Sequence, residues 1–148
     1  MRDREREIGE LLDLIVSTLQ RDIARHSGEL GLSAQEWAAL RHISVDVRGG
    51  EPFSTPDSVL ERVEMGRGQL QDVVDGLVTR GLVESVWGHG WRLSAAGVRI
   101  IEPLLTISQS IMTKATSGLT REEMENLAFM LRRVGENLGA PGPRIEED

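Results

Sequence analysis

Residues 56–81, PDSVLERVEMGRGQLQDVVDGLVTRG, contain the pattern that decides the fold. A short helix is predicted from Pro56 to about Val63, because proline is favoured in the first turn of a helix. After a brief turn that contains glycine, apolar side chains recur at helical spacing and predict a longer helix from Arg67 to Arg80. Gly81 follows it as a C-cap. A short helix, a tight turn and a longer helix make a helix-turn-helix.

The outer face of the longer helix carries polar side chains near its start. Arg67, Gln69 and Gln71 lie there, and Asp72 and Asp75 follow them. The first turn of such a second helix points at base edges in DNA. Arginine can pair with guanine there, and glutamine with adenine. The pattern therefore indicates DNA reading, although an ordinary solvated helix face has the same composition.

Helical patterns continue on both sides of this motif. Ser33 with Glu36, and Thr120 with Glu123, have the spacing of capping boxes and predict helix starts. Outside the motif, helices are predicted over residues 3–25 with Gly28 and Gly31 as breakers, over GLSAQEWAALRHI, from Ala95 to about Thr116, and from Thr120 to Gly139.

The segment between the motif and the helix at Ala95 predicts a β-hairpin. LVESVW and WRLS read as short strands around a Gly88-His89-Gly90 tip. Trp87 and Trp91 would face each other, and such a pair stabilises a hairpin by roughly 0.2–1 kcal/mol. We expect the pair to staple the hairpin to the domain. The alternatives are an exposed aromatic patch for a protein partner or ligand, and stacking on nucleic-acid bases.

Composition limits the possible classes of function. The chain has 148 residues, enough for one domain, and no cysteine, which excludes disulfides, thiolate metal sites and thiol redox sensing. No apolar run could span a membrane and no signal pattern is present, so we expect a cytoplasmic protein with no membrane partner. His26, His42 and His89 are far apart and no catalytic motif accompanies them. We expect no enzyme activity, catalytic residue, metal or cofactor.

The order and spacing of these elements resemble the MarR family of bacterial transcription regulators. The similar stretches are GLSAQEWAALRHI, VEMGRGQLQDVVDGLVTRGLVES, RLSAAGVRIIEPLL and LTREEMENLAFMLRRVGENL, within roughly residues 8–138. The resemblance implies a single MarR-like domain with a mainly α (α+β) fold. It implies a winged helix-turn-helix over about 33–97, with N- and C-terminal dimerisation helices over about 3–28 and 98–138. The terminal position of the last residues separately predicts a disordered tail over 140–148.

The resemblance also implies a homodimer that binds a palindromic operator in double-stranded DNA, with repression as the expected outcome. Dimers of this family present two recognition helices to successive major grooves, ~34–36 Å apart. The residues give the dimer independent support, because the terminal helices have broad apolar stripes and little else to pack on. A monomer whose terminal helices fold back on the core is the alternative.

Specific residues follow from the motif and the resemblance together. The expected DNA contacts are Arg67, Gln69 and Gln71 from the recognition helix, Ser54 and Thr55 toward phosphates, and His89 and Arg92 from the hairpin, or wing. Many family members release DNA on binding a small aromatic ligand, which implies a pocket lined by Ile15, Trp37, His42 and Ile111.

Two departures from the family pattern motivate a second hypothesis. The wing is short and its tip lacks the arginine that family wings place in the minor groove, and Asp72 stands where the family often has arginine. Residues 55–100 contain five arginines and six acidic residues, a net charge of −1. Since phosphate neutralisation supplies most non-specific affinity, the chain could instead be a winged-helix protein-interaction module that has lost operator binding.

Overall fold

The structure, a computed structural model, describes residues 2–48 and 50–142. The predicted order of four helices, a hairpin and two further helices is confirmed. The elements are α1 (Arg2–Glu29), α2 (Ala34–Arg48), α3 (Pro56–Leu60), α4 (Arg67–Thr79), β1 (Val83–Val86), β2 (Gly90–Leu93), α5 (Ala95–Ala115) and α6 (Arg121–Asn137). Of the tail predicted over 140–148, residues 143–148 lie outside the described residues.

The helix starts lie where the sequence places them. Ser33 and Glu36 bond each other's backbone N–H at 3.0 and 3.1 Å, which confirms the first capping box. Thr120 and Glu123 form the second one at the start of α6. Thr55 caps α3 by accepting a hydrogen bond from the Ser58 N–H at 3.2 Å.

Two helix ends differ from the prediction. Helix α1 continues through Gly28 to Glu29, because one interior glycine costs only about 1 kcal/mol relative to alanine. The chain leaves the helix at Gly31, where φ is 76°. Helix α3 ends at Leu60 rather than near Val63, and a turn then leads to α4.

The core lies between α2, α4, the hairpin and the first half of α5. It is built from aliphatic side chains that recur along each element at the spacing that places them on its inner face. The most deeply buried are Leu40, Ile43, Val59, Leu70, Val74, Leu77, Ile101 and Leu104. This core fixes which face of α4 is left for solvent.

The hairpin forms a small two-stranded antiparallel sheet, and an isolated β-bridge adds one residue to its edge. Val83 pairs with Leu93 and Ser85 pairs with Trp91. Ser54, in the connection between α2 and α3, bridges Trp91 through two backbone hydrogen bonds of 2.7 and 2.8 Å. Gly90 permits this close approach, since a Cβ there would lie 2.4 Å from the Phe53 ring and 2.5 Å from the Ser54 carbonyl oxygen.

The terminal helices leave large apolar side chains in solvent. None of the α6 residues, all of which the structure describes, is buried. The exposed apolar side chains on α1 and α6 include Ile8, Leu11, Leu14, Ile15, Met124, Leu127, Leu131, Val134 and Leu138 of the adjoining cap. Contiguous apolar surface of this kind marks an interaction site.

Candidate nucleic-acid interface

Helix α4 presents a polar face to solvent at its N-terminal end. Leu70, Val74 and Leu77 are buried, so the residues between them on the opposite side face outward. Arg67, Gln69 and Gln71 are all exposed. The structure thus brings the three predicted reading residues of α4 to one accessible surface.

Two of these side chains already have carboxylate partners. The Arg67 guanidinium donates to Asp57 of α3, and Gln71 Nε2 donates to Asp75 Oδ1 at 2.8 Å. Both members of the Arg67–Asp57 pair are highly exposed, with side-chain exposures of 68% and 76%. Exposed pairs contribute only about 0–1 kcal/mol, so a DNA phosphate or base can replace the carboxylate.

The wing arginine has the same kind of partner. Arg92 Nε donates to Glu84 Oε2 at 2.7 Å across the two strands, where these residues are register partners. The wing therefore adds no net positive charge from this pair. The pairing of Arg67 and Arg92 with carboxylates agrees with the net charge of −1 that the sequence gives for residues 55–100.

Ser54 and Thr55, the two residues before α3, differ in their exposure to solvent. The Thr55 side chain is exposed and caps α3 while its hydroxyl can still donate to a phosphate. Ser54 is 1% exposed, and its hydroxyl donates to the Ile43 carbonyl at 3.3 Å. The predicted phosphate contact of Ser54 is therefore wrong, because pairing with Trp91 pulls this residue into the domain.

The wing tip differs from the predicted Gly-His-Gly loop by one residue. Trp87 and Gly88 have φ of 51° and 70°, and the His89 N–H donates to the Val86 carbonyl at 2.9 Å. Positive φ at both central positions characterises a type I′ turn.

This shift separates the two tryptophans. Trp91 pairs with Ser85 and is 5% exposed, whereas Trp87 lies in the turn and is 91% exposed. The predicted tryptophan staple is therefore wrong. Of the two tryptophans, Trp91 is the one buried at the base of the wing, and Trp87 projects into solvent beside exposed His89.

Similarity to solved structures identifies the fold of the chain. The chain is similar to the reduced form of MarR from E. coli, at 23% identity over 85% of this chain and 91% of that chain, with a TM-score of 0.65. A MarR family protein from Bacillus stearothermophilus gives 20% identity, coverage of 94% and 98%, and a TM-score of 0.77. The chain has a MarR-type winged-helix fold.

A third structure with this fold contains nucleic acid. The Mycobacterium tuberculosis MarR family protein Rv2887, in complex with DNA, is 19% identical over 86% of this chain and 96% of that chain, with a TM-score of 0.65. No protein-family profile and no curated protein matches the sequence.

In this MarR-type fold, a cleft of about 720 Å³ lies between α1, α2 and the turn from α3 to α4. Trp37 and His42, two of the residues predicted to line a ligand pocket, line this cleft, and Trp37 is also part of the core. Ile15 and Ile111 do not line the cleft. Ile15 is instead exposed on α1, on the apolar surface of the terminal helices.

The cleft has a cationic lining that the sequence analysis missed. Arg21, Arg41 and Arg62 reach it from three separate segments, and Glu64 is the acidic residue among its lining side chains. Periodicity on one helix gives no sign of such a cluster, because only the tertiary fold brings the three arginines together.

His42 is uncharged at neutral pH. Burial lowers its pKa to about 4, and the charges of Arg41 and Arg62 act in the same direction, against a smaller opposing effect of Asp46. Among the described residues, His42 Nδ1 is a buried atom without a hydrogen-bond partner. An anionic ligand that entered the cleft would meet three guanidinium groups and a neutral imidazole.

The described part of the chain offers neither a metal site nor a membrane-spanning helix. Residues 2–48 and 50–142 contain no group of three or more histidine or acidic side chains placed to hold a metal ion. None of the helices in these ranges is both long and apolar enough to cross a membrane.

Proposed function

We propose that this protein is a cytoplasmic DNA-binding transcriptional regulator that acts as a homodimer and places α4 in the major groove. The observation that carries the proposal is the exposed face of α4, where Arg67, Gln69 and Gln71 lie opposite the buried leucines and valine. The likeness of the chain to Rv2887 in complex with DNA supports the same use of the fold.

The residues divide into positioning and reading roles. Thr55 and, after release from Asp57, Arg67 are placed to contact phosphates near the start of the two helices. Gln69 and Gln71 are long enough to reach base edges from the first turns of α4. A palindromic operator is expected because a two-fold dimer presents two equal reading heads. A regulator bound in this way would repress transcription.

The experiment that tests the proposal is selection of genomic fragments on the purified protein, at low and at physiological salt. A palindromic site with half-sites one helical turn apart, and affinity that falls steeply with salt, is the expected result. No enrichment at either salt concentration would reject DNA binding.

Substitution on α4 should weaken operator binding without affecting the fold. We expect Arg67→Ala and Gln71→Ala each to lower affinity for the selected operator by about five- to 100-fold, since a good side-chain contact contributes about 1–3 kcal/mol. Fluorescence anisotropy over a series of salt concentrations measures both affinity and salt slope. Dimer mass and melting temperature should not change, because both side chains are exposed.

The carboxylate partner of Arg67 supplies a matched opposite variant. Asp57→Asn removes one negative charge, which both holds Arg67 and repels DNA phosphate. The variant should therefore bind DNA more tightly and with a steeper salt dependence. Unchanged affinity in both Arg67→Ala and Asp57→Asn would show that this face does not contact DNA.

A second candidate function is favoured by the pairing of Arg67, Gln71 and Arg92 with carboxylates. A winged-helix module that binds a protein would have no need for free cations on this surface. Its binding should depend little on salt, in contrast to binding of DNA. The genomic selection therefore separates the two functions.

We further propose that the cationic cleft binds a small aromatic anion that releases the DNA. Benzoate should alter Trp37 fluorescence and lower operator affinity, because three arginines and Trp37 line the cleft. Arg41→Gln should weaken benzoate binding about tenfold, whereas Arg25→Gln removes the same charge from outside the cleft lining and should not. Equal benzoate affinity in the two variants would exclude the cleft.

A further inference from the structure

The wing tip holds a large aromatic residue in an unfavourable place. Trp87 is 91% exposed and has φ of 51°, in the left-handed region that bulky L residues rarely occupy. Type I′ turns favour Asn-Gly or Asp-Gly at their central positions, and here the pair is Trp87-Gly88. Neither burial nor turn chemistry accounts for a tryptophan at this position, and such outliers cluster at functional sites.

The base of the wing is held firmly while its tip stays free. Trp91 is buried, and its backbone pairs with Ser54 on one side and Ser85 on the other. Gly90 packs so closely under Phe53 that no side chain could fit there. The hairpin base therefore fixes where the turn that carries Trp87 lies, so little backbone freedom of the wing is lost on binding.

We propose that Trp87 is an apolar wedge that enters the minor groove of the operator next to the major groove occupied by α4. The inference rests on the proposed DNA-binding function and names the wing contact within it. Proteins that enter the minor groove often insert apolar side chains at base steps. An indole ring also stacks on bases without requiring a particular sequence.

The length of the wing and the absence of a charged side chain beside Trp87 favour DNA as the partner that Trp87 contacts. Strand β1 begins after three residues that follow α4, and its four residues at about 3.3 Å each extend the wing by ~13 Å, comparable with the ~12 Å width of the major groove. Arg92, the wing arginine, is bonded to Glu84 below the tip, so the tip does not carry it. The exposed neighbours of Trp87 are Gly88 and His89, and a single ring without a surrounding apolar patch fits a groove better than a protein surface.

The test compares Trp87→Ala, Trp87→Phe and Trp87→Asn with the wild-type protein on the operator duplex recovered by genomic selection. We expect Trp87→Ala to lower affinity at least tenfold with an unchanged salt slope, because an apolar contact releases no counterions. Trp87→Phe should restore most of the affinity. Arg67→Ala is the matched contrast, since losing a phosphate contact lowers the slope by about one.

Trp87→Asn separates a role in DNA binding from a role in the fold. Asparagine tolerates positive φ and places an Asn-Gly pair in the turn, so the melting temperature should stay equal or rise. DNA affinity should nevertheless fall as far as in Trp87→Ala. If Trp87 had only a structural role, Trp87→Asn would not lower DNA affinity while keeping or raising the melting temperature.

Tryptophan fluorescence gives a second measurement, which follows the binding of DNA at the wing itself. Trp37 and Trp91 are each 5% exposed, so Trp87 is the tryptophan whose emission should respond when a duplex covers it. Quenching on binding, absent in Trp87→Phe, is the expected result. Equal affinity of wild type and Trp87→Ala, with Arg67→Ala impaired, would overturn the wedge and leave the proposed function intact. No recovered duplex would reject both.

Discussion

Replacing Leu131 with glutamate should convert the protein to a monomer and abolish tight operator binding. Leu131 lies on the exposed apolar stripe of α6 with Met124, Leu127 and Val134, at spacings of three and four residues. We propose that this stripe packs against a second copy of the chain. Two-fold symmetry would bring the introduced carboxylate into that interface from both subunits.

The expected effect is large because a buried carboxylate without a partner costs several kcal/mol. The dimer dissociation constant should rise by at least ~100-fold, since every 1.4 kcal/mol is tenfold. Operator affinity should fall by a similar factor, because two linked reading heads bind DNA far more tightly than one. Unfolding should also lose its dependence on protein concentration.

Analytical ultracentrifugation and anisotropy on the operator measure the two effects. Asn126→Glu is the matched control, because it adds the same charge to an exposed polar position on α6. The control should remain dimeric. If Leu131→Glu is also dimeric at micromolar concentration and binds DNA normally, the apolar face of α6 is not the subunit interface.

Local sequence signals predicted the elements whose causes are themselves local. Ser33 and Thr120 are predicted as helix starts because a side-chain oxygen and a nearby N–H suffice to make a cap. The exposed face of α4 followed from its apolar period. These features define the helix-turn-helix, so the part of the candidate site that lies on α4 could be predicted from the sequence.

The features that the sequence could not give depend on contacts between distant segments. The bridge between Ser54 and Trp91 joins residues far apart in the chain, and it explains the burial of Ser54. A one-residue shift in the turn reverses which side of a hairpin each residue faces. The pairing of Arg67 with Asp57 likewise depends on how α3 crosses α4.

A methyl group added at Gly97 should destabilise the protein more than any exposed substitution proposed above. Gly97 is buried in the first turn of α5, and a Cβ there would lie 2.1 Å from the Leu82 carbonyl oxygen and 3.1 Å from its carbon. That carbonyl belongs to the backbone and accepts the Ser94 N–H at 3.0 Å, so it cannot rotate away as a side chain could.

We expect Gly97→Ala to lower the free energy of unfolding by about 3 kcal/mol, the upper part of the usual range for overpacking. The melting temperature should fall by roughly 6–12 °C for a chain of this size. Operator affinity should fall as well, because Leu82 joins α4 to the wing and must move away from α5.

Gly76→Ala is the control within the reading helix. Gly76 lies in α4 with nothing within 4 Å of an added Cβ, so alanine should stabilise the protein by about 0.5–1 kcal/mol. Thermal and urea unfolding measure the stability of both variants. If the close contact at Gly97 holds the wing against α5, Gly97→Ala should be less stable than the wild type and Gly76→Ala more stable. Equal melting temperatures for Gly97→Ala and the wild type would mean that the backbone at Leu82 yields freely. The wing would then not be fixed to α5 at this point.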